Sequence, residues 1–321
     1  MNRYVVTGGA GFIGSSLVRG LLEQGAEKVL VIDNLSTGRA ANLEEIRGRV
    51  ELLKADIRDY EDIAPAVKGA EVVFHLAAIP SVPRSIEDPV PSHEVNIGGA
   101  FNVLRAAAAG GVKRLVYAAS SSAYGGSEVL PKVETMAPDP KSPYASQKLA
   151  GEYYARVFWT CFGLETVSLR YFNVYGPRQD PSSPYSGVIS VFVRAITERR
   201  SPVIHGDGEQ SRDFTFVEDV VDVTLKAARA AGVAGNVYNA GNGNRYTLKQ
   251  VWETLEKIEG VHLPPRFGAP RAGDVRHSQA DVAAAVRDLH LKPRFSLEEG
   301  LRRTLSWFKQ CGAVAPGPDH S

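Results

Sequence analysis

Thr7-Gly8-Gly9-Ala10-Gly11-Phe12-Ile13-Gly14 is the stretch that decides the fold. It follows the β-branched run 3–7, which reads as a strand, and opens residues 14–22, which read as a helix. In such a unit the turn must be tight, the backbone must approach a diphosphate, and the helix must pack closely on the strand. Each demand removes a Cβ, and the helix N-terminus then offers free N–H groups to an anion. Asp33 closes the next run, 28–33, and lies 19 residues beyond Gly14. That is the place of a carboxylate that accepts hydrogen bonds from both hydroxyls of a ribose. A 2′-phosphate would meet the carboxylate, so NAD is expected rather than NADP. Arg39, a few residues on, reads as a solvated loop arginine.

Outward from this unit, short runs at 50–54, 71–76, 115–120 and 166–171 are apolar on both faces. Parallel strands covered by helices on each side have that character. The alternation of strands and helices predicts an α/β fold, a doubly wound parallel (Rossmann) sheet with a smaller C-terminal α/β substrate domain. Residues 1–175 are expected to form the NAD-binding domain, with later segments free to return to it. Residues 176–311 are expected to form mainly the substrate domain. There Pro-, Ser-, Asp- and Gly-rich segments at 176–184 and 205–209 separate helices near 187–198, 217–230 and 248–259. The Gly/Pro-rich tail 312–321 is expected to be disordered.

Composition narrows the function. The 321 residues are 44% hydrophobic and 23% charged, with 37 Lys+Arg against 36 Asp+Glu. A net charge of +1 gives no general attraction to nucleic acid or to an acidic membrane. Cys161 and Cys311 are the two cysteines, too few for a disulfide framework or a metal cluster, so a reducing, cytoplasmic setting is expected and no metal. The sequence shows neither signal-peptide features nor an apolar stretch near the roughly 20 residues of a membrane-spanning helix.

Tyr144 and Lys148 carry the chemistry. They stand four residues apart, one turn along a helix that Ser142 would cap and Pro143 would open. An ordinary phenol, with a pKa of about 10, is ionised about once in a thousand molecules near pH 7. Closing that gap takes about 4 kcal/mol, which one cation about 4 Å away supplies at an effective dielectric of about 20. Lys148 would thereby make Tyr144 a usable base. Ser120-Ser121-Ser122 ends the run 115–120 at its carboxyl end, where open α/β sheets bind ligands. A serine there can hydrogen-bond the substrate oxygen and relay its proton to Tyr144. His75 reads as a packed residue near the cofactor rather than a catalyst.

Together these residues resemble the extended short-chain dehydrogenase/reductase family, and within it the nucleotide-sugar 4-epimerases, those acting on UDP-N-acetylglucosamine above all and then UDP-glucose. The resemblance runs to about residue 310. It is carried by the glycine turn, Asp33-Asn34-Leu35, Asp56-Ile57, His75-Leu76-Ala77-Ala78, Val95-Asn96, Ser120 with Tyr124-Gly125, and Tyr144 with Lys148. Farther along it rests on Arg170-Tyr171-Phe172-Asn173-Val174-Tyr175-Gly176-Pro177, Arg212-Asp213-Phe214 and residues 271–275.

The resemblance implies a bound NAD held by Gly8, Gly11, Phe12, Ile13 and Gly14 in the turn and by Asp33, Asn34, Ser36 and Gly38 after the second strand. It adds Asp56, Ile57, Leu76, Ala77, Ala78, Asn96, Tyr171, Tyr144 and Lys148. Tyr144 takes the proton of the sugar 4-hydroxyl as hydride leaves C4, giving a transient 4-keto sugar and enzyme-bound NADH. The ketone swings about its diphosphate link and is reduced from the other face. Lys148 holds the nicotinamide ribose, and Ser120 is the family's catalytic serine, with Ser122 the second candidate. Substrate contacts fall on Ser81, Ser120, Ser122, Asn173, Gln179, Gly187 and Val188, with Arg212 and Arg271 on the diphosphate and Asp274 on the uridine ribose. A homodimer through the helices near 97–109 and 143–162 is also implied.

Two departures sharpen the expectation. Dehydrating relatives carry an Asp-Glu pair after the catalytic serine, and decarboxylating relatives a glutamate at the Ser122 position; Ser121 and Ser122 stand here, so neither reaction is expected. Ser278 occupies the place of a bulky tyrosine that walls the sugar pocket in enzymes confined to glucose and galactose, which leaves room for an N-acetyl group. The expected activity is therefore 4-epimerisation of UDP-GlcNAc/UDP-GalNAc, with UDP-Glc/UDP-Gal as further substrates. A UDP-glucuronate 4-epimerase, a strict UDP-glucose 4-epimerase and a non-enzymatic NAD-sensing protein are the alternatives.

Overall fold

Runs of four to seven mostly aliphatic residues build the centre of the molecule. In the computed structural model, which describes residues 3–180, 187–270 and 275–311, they form a seven-stranded sheet. Tyr4–Thr7 (β1), Val29–Ile32 (β2), Val50–Leu53 (β3), Val72–His75 (β4), Arg114–Ser120 (β5) and Glu165–Tyr171 (β6) fall on the expected runs to within a residue or two. They lie parallel in the order β3-β2-β1-β4-β5-β6, and Val237–Ala240 pairs parallel to β6 as the seventh strand. All four residues of β1 are buried. Tyr4 and Val6 enter the core beneath the helices Phe12–Glu23 and Val217–Ala227, while Val5 enters the core beneath Tyr60–Val67, Ala100–Ala109 and Pro143–Phe162. The strand order reverses between β1 and β4, so the loops that leave their carboxyl ends diverge and open a crevice.

The first of these cores runs on without a break into the C-terminal half. Phe192 of the helix Val188–Thr197, Trp252 of Leu248–Glu259 and Leu301 of Leu297–Gln310 belong to the same apolar cluster as Leu17 and Val217. Small strand pairs complete that half: Ser211–Arg212 with Tyr246–Thr247, and Val203–His205 with Arg266–Gly268. The sequence predicts no strand at Val237–Ala240, because Asn239 interrupts the apolar run. In the fold Asn239 is fully buried, and its carboxamide donates to the carbonyls of Lys132 (2.8 Å) and Asp281 (3.0 Å) and accepts from the Tyr124 hydroxyl (2.6 Å). The helix Val217–Ala227 also packs on Phe12–Glu23, where Val221 stands 2.7 Å from the position of a Cβ on Gly20. Segments from beyond residue 175 thus complete the sheet and its helical cover. The tail 312–321 lies outside the described residues. Among the described residues no helix is long and apolar enough to cross a membrane.

The long helix Pro143–Phe162 is seated by sterics and by charge. Ser142 caps it, accepting from the Ala145 N–H at 3.2 Å, and Pro143 is its first residue, as the sequence predicts. Gly151 lies against Tyr117 of β5 so closely that a Cβ would stand 2.2 Å from the phenolic oxygen. One residue on, buried Glu152 takes a two-pronged bond from Arg170 of β6 (2.9 and 2.6 Å), and the Arg170 guanidinium lies 4.6 Å from the Tyr124 ring centroid. Gly151→Ala would gain about 1 kcal/mol of helix propensity but overlap a fully buried ring, at about 1–3 kcal/mol. We expect a net loss of up to about 2 kcal/mol in urea unfolding; a raised midpoint would refute the tight seating of this helix.

Candidate active site

The glycine turn is shaped by the chain's contact with itself. Gly8 has φ +71°, and a Cβ there would stand 2.7 Å from the Ala77 nitrogen in the loop after β4. A Cβ on Gly14 would stand 2.1 Å from the Gly8 carbonyl oxygen. The first helix therefore begins tight against β1, capped by Gly11 with no side-chain hydrogen bond, which leaves its leading N–H groups to an anion. This turn, in which a Cβ on Gly8 or Gly14 would strike the backbone, fits the diphosphate of a dinucleotide at the helix N-terminus. Phe12 and Ile13 form the first turn, partly exposed beside it.

At the second strand, Asp33 is buried and both its oxygens are engaged, one by the Ala10 N–H (2.9 Å) and one by the Leu35 N–H (2.8 Å). Burial raises its pKa and these bonds oppose the rise. Gly38 packs on the carboxylate, a Cβ there lying 2.8 Å from each oxygen. Ser36 is exposed, its N–H bonded to the Asn34 side chain at 3.0 Å. The Asn34 amide in turn donates to Asp56 at 2.8 Å, and hydrogen bonds from Arg58 hold Asp56 down to about 2. Ile57 is buried against Gly99. Asn96 is buried too: it accepts from the Ile79 N–H (2.8 Å) and donates to the Ile79 carbonyl (3.2 Å) and to Gln147 (3.0 Å). It thereby pins the loop Leu76-Ala77-Ala78-Ile79 that faces Gly8. Arg39 is an exposed loop arginine, as expected, and it also pairs with Asp180 at 2.5 Å.

The catalytic candidates gather at the carboxyl ends of β4 and β5. Ser122 donates through its hydroxyl (2.8 Å) and its N–H (3.2 Å) to the Ser120 hydroxyl. Lys148 is 4% exposed, its ammonium 4.5 Å from the Tyr117 ring centroid. Burial pushes the Tyr144 pKa up, with Ser120 opposing, and draws Lys148 down to about 7. In the chain alone, therefore, desolvation works against the ionised phenol that the helical spacing suggests. His75 drops to about 3, through burial first and the Lys148 charge second, and its Nδ1 lies 2.7 Å from the Thr7 hydroxyl. Tyr171, at the end of β6, bonds the Thr224 hydroxyl at 2.8 Å.

The substrate-side candidates occupy the C-terminal half and its border. Ser81 caps the short helix Val82–Glu87, and buried Ser85 of that helix accepts from the Tyr144 N–H at 3.1 Å. Gln179 and Gly187 come together, the Gln179 amide nitrogen 3.3 Å from a Cβ position on Gly187, and Val188 opens the next helix. Asn173 is exposed after β6. Arg212 donates to the carbonyls of Ser211 and Arg276, both at 3.0 Å, while the Ser278 N–H bonds the Ser211 carbonyl at 3.0 Å; one small ladder holds them all. Arg271 and Asp274 lie outside the described residues. In the sequence 205–209 reads only as a separator between helices, yet His205, Gln210, Pro270 and Val275 line a cavity of about 460 Å³. Its signal was Gln210, a polar residue two before Arg212 and 8% exposed in the fold.

Comparison with known proteins gives a consistent picture. The profile of the NAD dependent epimerase/dehydratase family matches residues 4–241. UDP-glucose 4-epimerase of Mycolicibacterium smegmatis is 39% identical over 311 residues, covering 96% of this chain and 98% of that protein. The structure of UDP-N-acetylglucosamine 4-epimerase from Methanobrevibacter ruminantium, in complex with UDP-N-acetylmuramic acid, matches with TM-score 0.92 and 37% identity over 97% of this chain and 99% of that one. UDP-glucuronic acid 4-epimerase from Bacillus cereus, in complex with UDP-glucuronic acid and NAD, matches with TM-score 0.90 and 32% identity over 96% and 99% of the two chains.

The depressed Lys148 fixes a sign. Between about 7 and its ordinary 10.5 the unfolded chain carries a proton that the folded chain has lost, so this group makes stability rise with pH across that window. Below about 7 the buried ammonium exerts its full cost. Lys148→Met, stripped of cofactor, should melt above the parent chain by a margin that is widest near about pH 6 and shrinks toward about pH 9.5. A margin independent of pH in thermal melts would contradict the depressed pKa.

Proposed function

This chain belongs to the NAD dependent epimerase/dehydratase family, and on that premise we propose that it is a UDP-sugar 4-epimerase acting on UDP-GlcNAc/UDP-GalNAc and also on UDP-Glc/UDP-Gal. The observation that carries the proposal is the placement of Tyr144 one helical turn before the buried Lys148 on the helix Pro143–Phe162, with the Ser122–Ser120 hydroxyl pair at the carboxyl end of β5. Bound NAD supplies the two-electron acceptor and donor, and in its oxidised form a positive charge that favours an ionised phenol. Tyr144 removes the proton of the sugar 4-hydroxyl and later returns it. Ser120 hydrogen-bonds the same sugar oxygen and completes the path to Tyr144, while Ser122 orients Ser120. Lys148, one helical turn from Tyr144 and drawn down to about 7 by burial, is assigned to the cofactor's ribose.

Several features support the substrate. Gln210 keeps a buried Oε1 without a hydrogen-bond partner at the wall of the 460 Å³ cavity, suited to a donor such as the N3–H of uracil. Arg212 and Arg271 are assigned to the diphosphate, Asp274 to the ribose, and Ser278 leaves space for an N-acetyl group. Ser121 and Ser122 offer no carboxylic acid for elimination or decarboxylation. A uronic acid would need a further cation, for which Arg84 and Arg178 are the candidates; Arg178 donates to Ser16 on the first helix at 3.0 Å. A purely NAD-sensing protein would have no use for the Ser120–Tyr144–Lys148 cluster. The exposed, unpaired thiols of Cys161 and Cys311 suit a reducing cytoplasm. We further propose a homodimer through Phe101, Tyr154 and Phe162, exposed rings that Phe158 links across the helices Ala100–Ala109 and Pro143–Phe162.

Incubation with UDP-GlcNAc, UDP-Glc and UDP-GlcUA in turn, followed by NMR of the C4 configuration, tests the activity. The first two should equilibrate and the third should not. Tyr144→Phe should slow the reaction about 10²- to 10⁴-fold, and Ser278→Tyr should penalise the acetylated sugar more than the plain one. No C4 inversion of any of the three would overturn the reading. Sedimentation velocity should show twice the mass of one chain, and Phe162→Glu should halve it; a monomeric parent chain would remove the dimer.

A further inference from the structure

Arg39 grows from the edge of the ribose site. Its N–H bonds the Ala10 carbonyl at 3.0 Å, the Ala10 N–H bonds the Asp33 carboxylate at 2.9 Å, and its neighbour Gly38 packs on both carboxylate oxygens. From this root an arginine can reach a phosphate on the ribose 2′-oxygen, the task an arginine performs in NADP-binding relatives of this fold. Its guanidinium is held elsewhere: Nη2 donates to Asp180 Oδ2 at 2.5 Å, across 141 residues of sequence. Asp180 belongs to a segment anchored on the same side of the molecule, since Arg178 reaches the Ser16 hydroxyl of the first helix at 3.0 Å.

We propose that Asp180 is a specificity-determining residue for the cofactor: by engaging Arg39 it withholds the guanidinium from a 2′-phosphate and places a second carboxylate near that position. Asp33 repels the phosphate directly, and Asp180 acts through Arg39. The pair is about half exposed on the arginine side (46%) and less so on the aspartate side (31%), so solvent screens it and a moderate effect is expected. A bidentate, charge-assisted contact to phosphate would be stronger than this exposed pair. The proposal rests on the NAD dependence of the family, and the experiment separates the two.

Titration calorimetry of the cofactor-stripped full chain with NAD and with NADP gives both dissociation constants for the parent chain, Asp180→Asn, Arg39→Ala and the double variant. Asp180→Asn should tighten NADP by about five- to tenfold while leaving NAD within about twofold. The double variant should lose that gain. Equal changes for both cofactors in Asp180→Asn would mean that Asp180 only seats its segment, and a gain retained in the double variant would mean that Arg39 is not the phosphate partner; either overturns the proposal. Absence of NAD binding in every variant, the parent included, would instead remove the cofactor assignment on which the proposal stands.

Discussion

Backbone lies against backbone at the start of the chain, and the rest of the molecule depends on it. Gly14 sits over the Gly8 carbonyl, and Gly8 sits against the Ala77 nitrogen. The first contact presses the leading helix onto β1 with its N–H groups unspent. The second brings the loops after β1 and β4 together at the reversal of strand order, so the crevice has a close wall. No side chain larger than hydrogen can occupy either position.

The reacting groups are held by burial as much as by hydrogen bonds. Gly151 and the Glu152–Arg170 pair fix the long helix to β5 and β6, and the same seating removes the Lys148 ammonium and much of the Tyr144 phenol from water. Desolvation disfavours the charged form of each. On the proposed reading, the oxidised nicotinamide and the sugar would supply the stabilisation of charge that burial removes.

Much of this was legible in the chain because the local demands are strong. A turn that excludes every Cβ can be written only with glycine, and strands covered on both faces must be apolar. The cap at Ser142-Pro143 and the spacing of Tyr144 and Lys148 are equally local. What stayed hidden depends on partners far away in sequence. Asn239 breaks an apolar run, and only Lys132, Asp281 and Tyr124 make it a satisfied strand residue. Arg39 reads as a surface arginine, and nothing local reveals that Asp180 stands beside it. Gln210 becomes notable once its neighbours leave one oxygen buried and unpaired. The direction of the Tyr144 and Lys148 shifts likewise follows from burial, which spacing alone does not reveal.

The seventh strand carries a consequence for biosynthesis. Val237–Ala240 closes the edge of a sheet whose first strand begins at Tyr4. A nascent chain leaving the ribosome therefore keeps the β6 edge open until some 240 residues have been made. Over that interval β6 is an unpaired sheet margin, which Val237–Ala240 later covers.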